Sequence, residues 1–381
     1  MIYLDNSATT NKKPILVKLC AIKSCLRKNC LNPNRGGYRE GLALANKIFF
    51  VREKLSRFFN CKNVENCIFT SGCTEALNLA ILGSAKNGGH VITTIYEHNS
   101  VLRPLNKLKE TSGVSLTFLS PNENGEIETE KFEKAITKNT YMIACSFTSN
   151  VTGYTNQIEE IGKLCKKYNI LFLVDCAQSA GHEKIDMQKM NIDFLALAGH
   201  KGIYSLSGIG ALLCSEKGAK NLRPIKFGGT GTKSESLVQP TDFPDGFESG
   251  TNNVSGILSL GAGLDFVEKN QNKINKKIYD LTQYLVQKLK EIEKIKIYPF
   301  NNLSSGVISF NVNEISSNDV SNFLSEKFNI CVRSGLHCAP LVHKFFKTQK
   351  LGMVRVSVGY FNNKKDIDKL AYALKQFVSL G

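Results

Sequence analysis

Long apolar runs are what this sequence most lacks. A membrane-spanning helix needs roughly 18 consecutive apolar residues, and Lys18 and Lys23 interrupt the first leucine-rich stretch well before that. The opening MIYLDNSATT has neither the basic start nor the long apolar middle of a secretory signal, so a cytoplasmic protein is the expectation. Twelve cysteines occur, yet no two of them form a Cys-x-x-Cys pair, and no zinc-finger spacing or RNP-like aromatic motif is present. With no secretory signal, a disulfide scaffold is not expected. Several cysteines sit inside YMIACSF, LFLVDCA and GALLCSE, where the side chain acts as a small buried hydrophobe. Acidic residues are scarce: 33 Asp and Glu against 49 Lys and Arg leave a net charge of +16. The cations are scattered, which reads as a solvated basic surface, with a transient acidic partner such as RNA as the alternative. GGTGTKSES at 228–236 falls short of the nucleotide-binding pattern GxxxxGK[ST] and has no strand–loop–helix frame, which argues against an NTPase. There is no internal repeat and no low-complexity tract.

With 381 residues, 42% of them hydrophobic and 22% charged, the chain can bury ordinary globular cores in two or three domains. Between residues 67 and 215, short apolar runs alternate with helical stretches: CIFT, HVITTIY, SLTFLS, YMIACSFTS, ILFLVD, FLALAG and IGALLCS. Uniformly apolar strands separated by helices predict a largely parallel sheet covered on both faces. The last pair has a short connection that suits antiparallel pairing. From about residue 257 the pattern changes. A long helix carries Ile274, Ile278, Leu281, Leu285, Leu289 and Ile292 at helical spacing. Strands KIKIYPF and GVISFNV, a helix near 317–328, and VRVSVGYF follow, with Asn363 as candidate cap of a last helix. The expected division is an N-terminal segment 1–20, a large α/β domain 21–256 and a small α+β domain 257–381.

Four places in the large domain can carry chemistry, each with a plain structural alternative. Lys201, in LALAGHKGI, follows a strand; a lysine there can reach out to solvent or, desolvated, form a Schiff base with an aldehyde cofactor. Asp175 ends LFLVD, as a helix cap or as the acid that keeps a pyridine nitrogen protonated, with Gln178 three residues on. FTSGCTEALN reads strand, turn, helix, so Cys73 and Thr74 form a plain cap or a phosphate site, Gly72 letting backbone approach. His98, in YEHNSV, is a polar edge residue or a ring that stacks on a cofactor. A fifth place lies near the C-terminus. In CVRSGLHCAPLVHK, Cys338 could pack in a core, share a metal with His337 and His343, or act as a nucleophile on a flexible loop.

The order of these features carries more than any one of them. YLDNSATT, SGCTEALN, YEHNSV, SNVTG, VDCAQSAGH, GHKGI, ESGTNN, RSGLHCAP and VRVSVGYFN follow one another across nearly the whole chain. In that order the chain resembles the cysteine desulfurases of the class V aminotransferase superfamily, pyridoxal phosphate (PLP) enzymes of fold type I with a mostly parallel seven-stranded sheet and a smaller domain. The R-x-G-x-HCAP form is similar to the type II, Suf-like branch and to selenocysteine lyases.

The resemblance implies a role for each matching position. Lys201 would carry PLP and move the substrate Cα proton. Asp175 would pair with the pyridine nitrogen, Gln178 and Asn150 would flank the phenolic oxygen, and His98 would stack on the ring. Cys73, Thr74 and His200 would hold the phosphate, and Thr251 would reach the phosphate of a second subunit in a homodimer with shared sites. Arg355 would take the substrate carboxylate, with Asn6 and Ala8 lining the same region. Cys338 would take the sulfur of L-cysteine or L-selenocysteine and pass it to an acceptor protein, with His337 or the cofactor's surroundings favouring the thiolate. No metal is expected. Three departures stand out: Ala198 where relatives carry a phosphate-binding hydroxyl, a bond worth about 1–3 kcal/mol; SLSG at 205–208 in place of a Gly-Pro-x-Gly turn, predicting a softer loop; and Tyr38 at a position often held by histidine. A selenocysteine lyase, a class V aminotransferase and a non-catalytic sulfur-transfer scaffold are the alternative readings.

Overall fold

The computed structural model describes residues 1–24, 26, 31–33 and 38–379. Cys25 and Cys30, and the stretch 34–37 before Tyr38, lie outside the described residues. The strands are β1 (Ile2–Tyr3), β2 (Cys67–Thr70), β3 (His90–Thr94), β4 (Ser115–Leu119), β5 (Thr140–Ser146), β6 (Leu171–Asp175), β7 (Phe194–Ala198), β8 (Gly210–Cys214), β9 (Ile295–Ile297), β10 (Val307–Val312), β11 (Ile330–Cys331) and β12 (Val354–Ser357). The α-helices are α1 (Ile15–Ser24), α2 (Arg39–Phe58), α3 (Cys73–Gly83), α4 (Asn99–Ser112), α5 (Thr129–Ala135), α6 (Ile158–Lys167), α7 (Glu216–Lys220), α8 (Val254–Lys290), α9 (Ser317–Phe328), α10 (Pro340–Phe345) and α11 (Lys364–Ser379). Among the described residues no helix is long and apolar enough to cross a membrane.

The apolar runs of the first two-thirds form one seven-stranded sheet, ordered β2-β8-β7-β6-β5-β3-β4. Strands β7, β6, β5, β3 and β4 are parallel, and β8 is antiparallel to both its neighbours. β6 reads LFLVD and β7 reads FLALA, buried at every position. Successive residues point to opposite faces, so Leu171 and Leu173 enter one core while Phe172 and Val174 enter another. Both faces are covered, which is why these strands show no polar alternation.

The smaller lobe holds an antiparallel sheet ordered β12-β10-β9 and a third core containing Phe310, Val354 and Leu370. The start of the chain belongs to it as well. β1 pairs in parallel with β11, and Leu4 is buried in that third core. Helix α8, about 55 Å long at 1.5 Å per residue, joins the lobes. Ile257, Leu260 and Leu264 lie in a core of the large sheet, and Ile274 through Leu289 lie in the third. It begins at Val254 and so runs across the 256/257 boundary expected from the sequence. In α11, Ile367, Leu370 and Leu374 turn inward. At its start the bond runs opposite to the expected cap: the Asp366 carboxylate accepts from the N–H of Asn363 at 3.1 Å.

The turn into β8 leaves no room for a side chain. Gly72 was expected to let backbone approach, but a Cβ there would meet nothing within 4 Å, and its φ of 163° is extended backbone. The tight position is Gly210 at the start of β8, where a Cβ would lie 2.5 Å from the Leu197 carbonyl and 2.7 Å from the Gly72 backbone. Gly210→Ala is therefore expected to lower stability by about 1–3 kcal/mol in denaturant titration. Gly72→Ala should change it by less than about 1 kcal/mol.

Candidate active site

The C-terminal ends of β3, β5, β6 and β7 open on one edge of the sheet, together with the turn from β2 into α3. This is where open parallel sheets bind ligands. A cavity of about 290 Å³ lies there, lined by Cys73, Thr74, His98, Asn150, Asp175 and Gln178 together with Ala198, His200 and Lys201. A slightly larger cavity of about 360 Å³ lies at the opposite edge, around Asn60, Lys62 and Lys217. Two of its three lysines, Lys62 and Lys217, are already ion-paired with Glu216 and Asp193. The chemistry therefore converges on the first cavity, not the larger one.

Lys201 is the centre of this cavity. Among the described residues no acceptor takes a hydrogen bond from its amine. Burial pulls its pKa down, Arg355 adds to that, and Asp175, Cys73 and Asp5 oppose it. Lys201 is half-buried and lines the cavity, and a lysine poorer in protons is the better nucleophile. Asp175 accepts from the Ala177 N–H at 2.8 Å and from the Cys73 thiol at 3.3 Å, both on Oδ1. Among the described residues its second oxygen takes no hydrogen bond. His98 caps α4: its Nδ1 accepts from the Ser100 N–H at 3.1 Å, which leaves Nε2 to carry the proton of the neutral ring. Burial lowers its pKa, with Lys201, Arg355 and Arg103 pushing the same way and Asp175 opposing.

Two further features suit an anionic cofactor. The first N–H groups of α3, at Cys73 and Thr74, have no intrahelical partner by construction and open on the cavity. His200 Nδ1 is buried with no hydrogen-bond partner, and its pKa is pushed down to about 4 by burial, then by Lys201 and Lys13. Ala198 does put a methyl group on this wall, but Ser71, Thr74, Ser100 and Thr148 supply hydroxyls around the same cavity. The turn after Lys201 is not soft. Ser205 N–H bonds the Gly199 carbonyl at 2.9 Å, Ser259 accepts from Leu206 at 3.2 Å, and Asn253 donates to the Gly208 carbonyl at 2.8 Å. Helix α8 thus holds the SLSG segment from its first turns. Tyr38 is exposed and precedes α2, remote in sequence from these contacts.

The remaining expected residues divide between the cavity and its surroundings. Gln178 donates to the Ser7 carbonyl at 3.0 Å and Asn150 to the His337 carbonyl at 2.8 Å, so each amide keeps one N–H and its oxygen. Asn6 bonds the Ser357 carbonyl and Asn362 Oδ1, both at 3.0 Å, and Ala8 N–H bonds the Asp5 carbonyl. Arg355 is buried beside the cavity and not on its wall: Nη1 donates to the Asn150 carbonyl at 2.9 Å and Nη2 to Asp5 at 2.7 Å. Thr251 is exposed and outside the cavity of its own chain. Its segment is anchored by Glu248, which pairs with buried Arg52 and accepts from the Phe69 N–H at 2.7 Å.

Cys338 is exposed, whereas every other described cysteine is buried or half-buried. Packing is thus excluded for this residue. The loop is short and tied down by hydrogen bonds. Asn99 N–H donates to the Cys338 carbonyl at 2.7 Å, Asn150 takes the His337 carbonyl, and Gly335 N–H bonds Ser317 Oγ at 3.1 Å. His337 and Cys338 both have left-handed backbone, φ 51° and 58°, each at about 1–2 kcal/mol for a residue with a Cβ. His337 does not help the thiol. Its ring is buried, Nε2 bonds the Met353 carbonyl at 3.1 Å, and burial with Arg355 drives its pKa far down. A neutral ring turned away cannot stabilise a thiolate. His343 is buried with Nδ1 on Thr348 at 2.8 Å, and no three His, Cys, Asp or Glu among the described residues could hold a metal ion.

Two residues escaped the sequence reading. Asp5 stands in YLDNSATT but was not separated from Asn6 and Ala8. Glu97 stands beside His98 and is fully buried, its Oε1 accepting from Thr94 at 2.5 Å. A carboxyl directly after an apolar strand run was the available signal.

Comparison with known proteins agrees with this arrangement. The Aminotransferase class-V family matches residues 2–370. A probable cysteine desulfurase of Halalkalibacterium halodurans is 34% identical over 99% of this chain and 93% of its own length. A cysteine desulfurase of Wigglesworthia glossinidia brevipalpis is 33% identical over 98% of this chain and 92% of its own. The apo structure of a cysteine desulfurase from Thermococcus onnurineus NA1 superposes with a TM-score of 0.92 at 33% identity, covering 100% of this chain and 95% of that one.

Glu97 yields a pH-dependent test. Burial, with Asp175 nearby, pushes its pKa up to about 8 against hydrogen bonds from Thr94 and Ser146. Between pH 4.5 and about 8 the folded protein keeps a proton that the unfolded chain releases, so the stability tied to this group is lost as pH rises. Glu97→Gln cannot ionise. Above pH 8 it should melt at a higher temperature than the parent, and near pH 4.5 the two should converge, as followed by circular dichroism.

Proposed function

Because the chain belongs to the class V aminotransferase family, within its cysteine desulfurases, we propose that it converts L-cysteine to L-alanine and carries the released sulfur on Cys338. One observation supports this above the rest. Lys201, whose amine has no hydrogen-bond partner among the described residues, shares a cavity with Asp175 and a helix N-terminus, and the exposed Cys338 is tied by its backbone to Asn99, next to His98 of that cavity.

The family depends on pyridoxal phosphate, which supplies an electron sink for bonds broken next to the substrate Cα. The residues present suit that group. Lys201 Nζ would hold the cofactor and serve as the base that takes and returns the substrate Cα proton. The second oxygen of Asp175 would hold a proton on the ring nitrogen. His98 and the spare amide groups of Asn150 and Gln178 would border the ring, and the N–H groups of Cys73 and Thr74, with His200, would receive the phosphate. Arg355 binds the substrate carboxylate with its planar fork, and Asn6 and Ala8 border it. The Cys338 thiolate attacks the substrate sulfur: an S–S bond forms as the C–S bond breaks, the carbon keeps the electron pair, and protonation there completes alanine. Cys338 is left as a persulfide, to be passed to the thiol of an acceptor protein.

A homodimer with shared sites is part of the reading. Thr251 is held at the surface, placed to serve a second chain. Ile15, Leu16 and Ile22 of α1, Leu42 and Phe50 of α2, and Phe227, Leu237 and Val238 expose apolar surface that a second copy would cover. A reducing, cytoplasmic setting goes with it, since every described cysteine is a free thiol.

Two variants test the assignment. Cys338→Ser should keep the yellow absorbance of bound cofactor and its bleaching by borohydride, while sulfide release from L-cysteine in the presence of reductant falls to background. Lys201→Ala should lose the borohydride-sensitive absorbance. Undiminished sulfide release by Cys338→Ser would reject the thiol's role, and the same assay with L-selenocysteine separates a lyase for that amino acid.

A further inference from the structure

Asp5 sits between two guanidinium groups. Its Oδ1 accepts from Arg355 Nη2 at 2.7 Å, and its Oδ2 lies 3.8 Å from Arg333 Nη1. The two arginines face each other across an antiparallel bridge, with backbone hydrogen bonds of 3.1 and 2.8 Å between them. Their surroundings differ. The Arg355 side chain is 4% exposed and that of Asp5 13%, whereas that of Arg333 is 49% exposed. His337, whose pKa both arginines help to lower, is neutral here. Two cations share one anion, and of the two only Arg355 is withdrawn from water.

The donors of Arg355 are unevenly used. Nη1 is committed to the Asn150 carbonyl, Nη2 to Asp5, and Nε is buried without any partner. A guanidinium holds a carboxylate best through two parallel N–H groups on one edge. The Nε–Nη2 edge is therefore half occupied by Asp5 and half empty.

We propose that Asp5 is a surrogate carboxylate, filling the substrate edge of Arg355 between turnovers and moving onto Arg333 when a substrate carboxylate arrives. The inference rests on the assignment of Arg355 made above. Oδ2 is already within ion-pair reach of Arg333, so the exchange needs a rotation of the Asp5 side chain and no movement of the backbone. Arg333 is the weaker partner, because water screens it, and Arg355 recovers Asp5 once the ligand leaves. Without Asp5, a buried guanidinium would stand unpaired in the empty enzyme. Asp5 is thus a positioning residue and an internal competitor. It sets how tightly any α-carboxylate is held, and a ligand without a carboxylate cannot displace it.

The test uses the holoenzyme and L-alanine, which has the amine and carboxylate of the substrate but no sulfur. In calorimetric titration Asp5→Asn should bind L-alanine about tenfold more tightly than the parent, the scale of losing one charged competitor. Arg333→Gln removes the alternative partner of Asp5 and should bind about fivefold more weakly, on the same scale. The double variant should behave like Asp5→Asn. Asp5→Asn should also melt lower than the parent without ligand and gain more from saturating L-alanine. Unchanged or weaker L-alanine binding by Asp5→Asn overturns the proposal, as does unchanged binding by Arg333→Gln, which serves alone should Asp5→Asn fail to fold. Arg355→Gln separates the two levels. If it abolishes binding while Asp5→Asn leaves it unaltered, only the surrogate role falls; if it binds like the parent, the assignment of Arg355 falls with it.

Discussion

A half-buried amine after β7 is the constraint on which the rest of the site depends. Among the described residues nothing accepts a hydrogen bond from Lys201, so burial disfavours its charged form, and the carboxylates of Asp175 and Asp5 oppose that. The turn that carries it has to be rigid for that to persist. The His200 carbonyl accepts from the Thr10 N–H at 3.1 Å, from Thr10 Oγ1 at 3.0 Å and from Lys13 Nζ at 2.9 Å. On the other side, Asn253 and Ser259 of α8 hold the SLSG segment. The reactive lysine is clamped between the start of the chain and the helix that joins the lobes.

The start of the chain does more than clamp. Its β1 strand pairs with β11, Leu4 enters the core of the small lobe, and Asp5 then meets Arg355 on β12. Residues 5–13 thereby touch both the group that would bind substrate and the turn that would bind cofactor. The loop of Cys338 is fitted to the large lobe in a comparable way. Two adjacent left-handed residues are unfavourable on their own, and the bonds from Asn99 and Asn150 offset that cost. Strain is tolerated here because the surroundings fix the backbone from outside the loop.

Much of this was legible before any coordinates. Each reactive residue of the large lobe ends an apolar run, and a parallel sheet brings the C-terminal ends of its strands to one edge. Local pattern was enough to place Asp175, His98 and Lys201 together. It was not enough for contacts made at long range. Asp5 and Arg355 are 350 residues apart, and nothing in either neighbourhood signals the other. His337 failed for a different reason: adjacent loop residues need not share a face, so its ring turns inward while Cys338 points out. Gly72 and Gly210 show the same limit, since which of two glycines must be bare depends on strand pairing. The SLSG turn looked loose because its partners lie on a helix some fifty residues later.

The tethering of residues 337 and 338 bears on the role proposed for Cys338. A thiol held through its own main chain reaches no further than one cysteine side chain. In that reading the recipient supplies the motion, bringing its acceptor atom to the thiol beside the α4 helix.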